Sequence, residues 1–231
     1  MIKAVFCDFY GTIVFDDDES ISEILNNLLK LGRAESTKEI ESFWWQRFYW
    51  LFSESYGSNF RKQRDMVLIS LMQTLEQFDI IGDAAELGKP QFTYWKEPQI
   101  FIDGKIFVDI CPLPLYIISN VDTSDLVAAL SYHDLRPTGF VTSEEARAYK
   151  PRADIFSFAL EKHGFKANEV IHIGDSVTND LHGAKSAGIQ TIWLNRQGKP
   201  IPPDAAKSAS DFYEILAILE SINKEQNMNT L

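Results

Sequence analysis

Asp8 closes the short apolar run Ile2-Lys3-Ala4-Val5-Phe6-Cys7 and is followed by Phe9-Tyr10-Gly11-Thr12. A β-branched and aromatic run that ends in an acid, then a Gly and a Thr, predicts a buried parallel strand delivering a carboxylate to its C-terminal edge. In open α/β sheets that edge is where ligands bind. A second run, Val170-Ile171-His172-Ile173, ends in Gly174-Asp175-Ser176-Val177-Thr178-Asn179-Asp180. Two strands that carry acids to one edge build a carboxylate cluster, and such a cluster requires a cation or protons. A third run, Leu115-Tyr116-Ile117-Ile118, ends in a hydroxyl and an amide, Ser119-Asn120. Lys150-Pro151 opens a helical stretch, with Pro151 expected at a first-turn position that tolerates its missing N–H. Together these residues offer a carboxylate nucleophile, a hydroxyl donor, a cation and an acid pair, all in strand-end contexts.

The elements that must position them follow from the hydrophobic pattern. Apolar, β-rich runs lie at 2–8, 113–119, 138–142, 170–174 and 190–194, and helical patterns at Ser124 to His133, Asp154 to His163 and Asn179 to Ala187 separate the later ones. Strand alternating with helix predicts an α/β fold with a doubly wound parallel sheet. Residues 14–97 break the alternation and read as helices at Glu19 to Leu31, Thr37 to Glu54, Asn59 to Phe78 and around Ala84 to Gly88. Leu25, Leu28 and Leu29 recur at helical spacing, and Ser36 or Thr37 can cap the second helix. The expected organisation is a core of residues 1–13 and 98–231 with an inserted all-helical cap at 14–97, closing as a lid over the first strand's C-terminal end. Pro98 is expected to stop the last cap helix, and the polar tail from Asn223 to Leu231 is expected to fray.

Composition excludes several classes. At 231 residues the chain can bury a sizeable core, and a formal charge of −11 argues against nucleic acid or an anionic membrane surface as the main partner. Only Cys7 and Cys111 occur, so there is no disulfide framework and no zinc spacing. No window approaches the roughly 18 apolar residues of a membrane helix, and a cytoplasmic protein is expected. The four histidines show no metal-ligand spacing; His172 reads as a satisfied core histidine, and His182 lies close to Asp180 in sequence.

This constellation resembles the haloacid dehalogenase-like hydrolase superfamily along the whole chain: first motif at 8–12, cap insertion at roughly 14–97, second motif at Ser119, third at Lys150 and fourth at Gly174 to Asp180. The fourth motif, followed by Gly183-Ala184-Lys185 and Ala187-Gly188-Ile189, looks like the magnesium-dependent phosphatases of the family with a helical cap. The resemblance implies that Asp8 attacks phosphorus to form an aspartyl-phosphate. It implies Mg²⁺ held by Asp8, the Tyr10 carbonyl and Asp175. Thr12, Ser119 and Asn120, with the amides after Asp8, would bind the phosphoryl group of a small-molecule substrate. Lys150 would offset the carboxylates, and Asp180 would orient Lys150 or a metal-bound water.

Tyr10 departs from that pattern. Phosphatases of this family carry an Asp two residues after the nucleophile, where it protonates the leaving alcohol and then activates water. General acid–base catalysis is typically worth about 10²–10⁴-fold, and a phenol of pKa ~10 is a poor substitute. A slow phosphomonoester hydrolase is therefore expected. Asp-x-Tyr-Gly-Thr also resembles the metal-independent 2-haloacid dehalogenases of the superfamily, whose halide leaves unprotonated; that is the alternative, and a weakly catalytic binding or regulatory protein is the third. Asp175 discriminates, because without Mg²⁺ it and Asp180 would crowd Asp8 and quench it.

In the cap, Phe43-Trp44-Trp45-Gln46-Arg47-Phe48-Tyr49-Trp50-Leu51-Phe52 cannot place all its aromatics on one helical face. Cap packing, a dimer interface or an aromatic lid over a flat leaving group would each use them. A monomer or a homodimer is expected. Arg33, Arg47, Arg61 and Arg64 are the cap cations available to an anionic substrate, with solvated faces as their ordinary fate. Phe15-Asp16-Asp17-Asp18-Glu19 is expected to link core to cap and open its first helix, where acids suit the dipole.

Overall fold

The computed structural model describes residues 1–228. From the N-terminus the chain forms β1 (Ala4–Cys7), then five helices, α1 (Asp18–Leu31), α2 (Thr37–Ser53), α3 (Gln63–Gln77), α4 (Ala84–Leu87) and α5 (Lys89–Tyr94). It continues through α6 (Ile102–Ile110), β2 (Leu115–Ser119), α7 (Thr123–Tyr132), β3 (Gly139–Thr142), α8 (Ser143–Ala146) and α9 (Ala153–His163). The last part comprises β4 (Val170–Gly174), a π-helical turn (Val177–His182), α10 (Gly183–Ser186), β5 (Gln190–Leu194), β6 (Ser208–Ala209) and α11 (Phe212–Met228).

The six strands pair in parallel in the order β3-β2-β1-β4-β5-β6. Parallel strands covered on both faces read as continuous apolar runs, which is why β1 and β4 are buried at every residue. Their side chains alternate: Val5, Cys7, Ile171 and Ile173 join the core on one face, Ala4, Phe6 and Val170 the core on the other. Each of the Val, Ile and Phe side chains among them contributes roughly 1.5–3 kcal/mol when fully buried. Chain order reverses direction between β1 and β4, the switch point where such sheets bind ligands. Cys7 lies in register with both Ile117 and Ile173, so the chain leaves β1, β2 and β4 at one level, and Asp8, Ser119 and Asp175 follow from there.

The helical insertion between β1 and β2 packs through i, i+4 stripes: Ile24 with Leu28, Ile40 with Trp44 and Phe48, Val67 with Leu71 and Leu75 are buried. Trp44 buries its indole and donates Nε1–H to Ser70 Oγ at 2.9 Å. Ser36 caps α2, accepting from the Glu39 amide at 3.3 Å. The insertion is stitched to the core at the start of α3. There Asp122, just after β2, accepts the Gln63 and Arg64 amides at 2.8 and 3.1 Å, and the Arg64 guanidinium grips the fully buried Asp125 with two bonds of 2.6 Å.

Several local expectations are corrected. The third helix starts at Gln63 rather than Asn59, because a 3-10 turn occupies Gly57–Asn59. The last inserted helix ends at Tyr94, so Pro98 does not stop it. Pro151 precedes α9 rather than sitting in its first turn; Arg152 is the N-cap, and the Lys150–Pro151 peptide is cis. Asn179 to Ala187 is not one α-helix but the π turn and then α10. Helix α11 runs to Met228, so the frayed tail expected from Asn223 is helical as far as that residue; the remainder, 229–231, lies outside the described residues. Among the described residues no helix is long and apolar enough to cross a membrane.

Candidate active site

Asp8 is held at the switch point by its amide, which donates to the Ile173 carbonyl at 2.9 Å. Two glycines let the β1 and β4 loops converge there. At Gly11, φ is +80° and a Cβ would sit 2.8 Å from both Asp175 carboxylate oxygens. At Gly174 a Cβ would lie 2.2 Å from Asp180 Cγ. Any side chain at either position would push the acids apart.

Lys150, 2% exposed, reaches Asp8 Oδ1 at 2.6 Å and Asp180 Oδ1 at 2.7 Å. Its position is set by Asn120, whose Oδ1 accepts the Lys150 amide at 2.7 Å while Nδ2 donates to the Lys150 carbonyl at 3.1 Å. Asn120, expected to bind the phosphoryl group, is thus a clamp on the Lys150 backbone. Burial disfavours the ammonium, yet Asp180 and Asp8 outweigh it and hold Lys150 above its ordinary value. Asp180 also accepts the Ser176 amide at 3.1 Å and meets His172 Nε2 at 2.9 Å. Burial opposes its ionisation, but Lys150 and His172 prevail and bring it down to about 2. Burial lowers His172, so the ring is neutral: Nε2–H donates to Asp180, and Nδ1 is buried with no partner among the described residues.

Asp175 behaves oppositely. Burial, then Asp180 and Asp16, push its carboxyl up to about 6, against a 2.9 Å bond from the Thr12 hydroxyl. Thr12, fully buried, therefore holds Asp175 and does not present its hydroxyl to a ligand. Asp8 too lies well above the usual carboxylate range, through burial first and Asp180 and Asp175 next, with Lys150 opposing. Ligand oxygens of Asp8, Asp175 and Asp180 all fall within 4.8 Å of one another. Three carboxylates against one ammonium leave an excess of negative charge in a buried site.

A cavity of about 300 Å³ opens beside Asp8 and Lys150. The core supplies Asp8, Ser119, Asn120 and Lys150; the insertion supplies Phe48, Tyr49, Phe52 and Trp95. Trp44 and Leu51 turn inward instead, so the aromatic segment divides between helix packing and cavity wall. Ser119 accepts the Val121 amide at 3.4 Å, and its O–H remains a donor. Tyr10 also lines the cavity, but its hydroxyl donates to the Trp95 carbonyl, and burial pushes the phenol well above its ordinary value. None of Arg33, Arg47, Arg61 and Arg64 lines it. Arg33 pairs with Asp79 at 3.1 Å, Arg47 lies over the Phe43 ring, the Arg61 carbonyl accepts from Tyr149, and Arg64 holds Asp125. His182 faces Asp204 at 3.4 Å, not Asp180.

Sequence reading missed His172, Trp95 and Asp125 as partners of the site and of its seam with the insertion. Asp17 lies in the segment expected to link core to cap and open its first helix. It is the N-cap residue of α1, with Asp18 and Glu19 in the first turn as expected, but it also lines the cavity.

A doubly wound parallel sheet with an acid cluster and a buried lysine at its switch point defines an α/β core of the Rossmann-like class. The chain belongs to the haloacid dehalogenase-like hydrolases, whose family model matches residues 2–188. It is 29% identical over 64% of its length to 68% of YfnB of Bacillus subtilis, a candidate HAD-hydrolase. The crystal structure of YfnB bound to magnesium superposes with a TM-score of 0.73 over 95% of this chain and 99% of that one, at 21% identity. It is also 25% identical over 86% of its length to 85% of (S)-2-haloacid dehalogenase 4A of Burkholderia cepacia. A glyceraldehyde 3-phosphate phosphatase of Pyrococcus abyssi is 25% identical over 84% of this chain and 82% of that protein.

Proposed function

We propose that this protein is a Mg²⁺-dependent phosphomonoester hydrolase that acts on a small-molecule phosphate through Asp8. The observation that carries the reading is the acid trio: Asp8, Asp175 and Asp180 within 4.8 Å, with the Lys150 ammonium bridging Asp8 and Asp180. Asp175, lifted to about 6 in the absence of a cation, fits a divalent-ion ligand, because a bound cation restores its charge. Asp8, Asp175 and the Tyr10 carbonyl are the oxygens that would hold Mg²⁺. When bound, the ion would neutralise charge on the phosphoryl oxygens.

The rest of the chemistry belongs to side chains. Asp8 attacks phosphorus, and the aspartyl-phosphate splits one hard step into two. Lys150 fixes the Asp8 carboxylate and stabilises charge that develops beside it. Ser119 and the amides after Asp8 bind phosphoryl oxygens. Asp180 holds Lys150. Residues 14–97 serve as the cap and 1–13 with 98–231 as the core, the cap's aromatic wall excluding water. The compartment is the cytoplasm, in keeping with two free cysteines.

The second reading, a 2-haloacid dehalogenase, draws on Tyr10 and on the Burkholderia relative. It meets one physical objection. A 2-haloacid presents a carboxylate and releases an anion, but Lys150 is the one cation among the cavity residues and already bridges two acids. Phosphate release from a panel of phosphomonoesters, with Mg²⁺ and with EDTA, tests the proposal. Release that EDTA abolishes is expected. Halide release from 2-haloacids without phosphate release would replace it, and neither would leave a non-catalytic protein.

A further inference from the structure

Displacing an alkoxide from phosphorus near neutral pH requires a proton for the departing oxygen. Tyr10, at the position where the acid is expected, donates its hydroxyl hydrogen bond to the Trp95 carbonyl, and burial holds the phenol protonated. Another acid must be sought among the groups that line the cavity. Asp8 is the nucleophile, Lys150 bridges Asp8 and Asp180, and Asp16 shares the field of Asp175, which is assigned to the metal.

We propose that Asp17 is the general acid and base of this site: its carboxyl protonates the leaving oxygen, and its carboxylate then activates the hydrolytic water. Three observations meet at this residue. Asp17 lines the same cavity as Asp8, Ser119 and Lys150. Its Oδ1 accepts the Ser20 hydroxyl, which fixes the rotamer, while Oδ2 is buried with no partner among the described residues. A buried carboxyl oxygen without a partner is costly unless it carries a proton or meets a ligand. The surroundings favour the proton. Burial pushes Asp17 up to about 7, with Asp18 and Asp16 adding to it and Ser20 opposing. The other titratable groups facing it, Tyr94 of α5 and Tyr10 after β1, carry no positive charge.

The proposal rests on the phosphatase reading and balances within it. Asp8 forms its bond to phosphorus as the phosphorus–oxygen bond to the alcohol breaks, and the departing oxygen takes the Asp17 proton. Water then loses a proton to the Asp17 carboxylate as its oxygen bonds to phosphorus. The Asp8–phosphorus bond breaks, giving phosphate and regenerating both residues.

The test compares two substrates in single-turnover phosphorylation of the holoenzyme with Mg²⁺: an alkyl phosphate, whose leaving group needs a proton, and 2,4-dinitrophenyl phosphate, whose leaving group does not. Asp17→Asn is expected to slow phosphorylation by the alkyl ester about 10²-fold or more and to leave the dinitrophenyl ester within a few-fold. Equal losses on both would overturn the proposal in favour of a structural role, and no loss on either would overturn it outright. Ser20→Ala supplies a second readout that packing alone would not move. It removes the bond that favours the charged carboxylate, so the limb of the alkyl-ester pH profile assigned to Asp17 should shift to higher pH; an unmoved limb would sink the assignment. If wild-type enzyme turned over neither ester with Mg²⁺, the phosphatase reading itself would fall, an outcome distinct from all of these.

Discussion

At the scale of single residues, chemistry divides by where each proton is already engaged. Tyr10 illustrates this. Its ring packs edge-on against Phe9, and its hydroxyl ties the β1 loop to Trp95 at the end of the insertion. Tyr10→Phe keeps the ring and orphans the Trp95 carbonyl, a loss of about 1–2 kcal/mol of stability. It should leave turnover within a few-fold, because the hydroxyl takes no part in proton transfer. Thermal melts and steady-state rates check both halves, and a hundred-fold fall in kcat with unchanged melting would give the proton transfer to Tyr10. Residue types at the site were legible in sequence: Asp8, Lys150, Asp175 and Asp180 meet as their strand-end positions imply. What each polar side chain turns toward was not. Thr12 has the right chemistry for a phosphoryl group but faces Asp175, and Asn120 lines the cavity with its amide bonded to the Lys150 backbone, choices made by loop packing that no local pattern encodes.

At the scale of elements, the join between insertion and core depends on the first turn of α3. Asp122 satisfies two of its orphan amides, and Arg64 neutralises Asp125, which is fully buried. Removing one member of such a pair strands the other charge. Arg64→Ala should therefore destabilise the protein by about 3 kcal/mol, whereas Arg64→Leu with Asp125→Leu should recover much of the loss. Denaturant melts of the two variants decide it; a double variant as unstable as the single one would show that packing, not the stranded charge, sets the cost. The five long strands were readable because buried parallel strands announce themselves as apolar runs. Others were not: β6 has only Ser208–Ala209, and α6 and α11 went unassigned although α6 buries Phe107 and Val108, and α11 Ile215 and Leu219. The seam is equally silent in sequence, since Arg64 and Asp125 lie on different helices and meet only once the insertion has docked.

At the scale of the whole molecule, the acid cluster makes stability depend on pH in an unusual direction. Asp175 is lifted to about 6 and Asp17 to about 7, and Asp8, Asp16 and Asp122 are also raised, each with burial as the largest cause. A carboxyl raised in the folded state binds its proton more tightly there than in the unfolded chain. Stability then falls as pH rises from the unfolded value of about 4 through the folded one. His172 and His163, lowered mainly by burial, work the other way below about 6.5 but are fewer. Asp180, held at about 2, contributes in full above the ordinary carboxylate range and loses its effect only in stronger acid. The metal-free protein should thus melt at a higher temperature at pH 5.5 than at pH 7.5. Mg²⁺ should narrow the gap from the alkaline side, because a cation on Asp8 and Asp175 replaces the protons they would otherwise take up. At 100 times its Kd a ligand adds about 2.7 kcal/mol, roughly 5–10 °C for a chain of this size. Melts in EDTA and in Mg²⁺ at both pH values provide the check. A metal-free protein more stable at pH 7.5, or a Mg²⁺ increment equal at both pH values, would mean that the carboxylates are balanced without a cation, and the metal-dependent reading of the site would lose its physical basis.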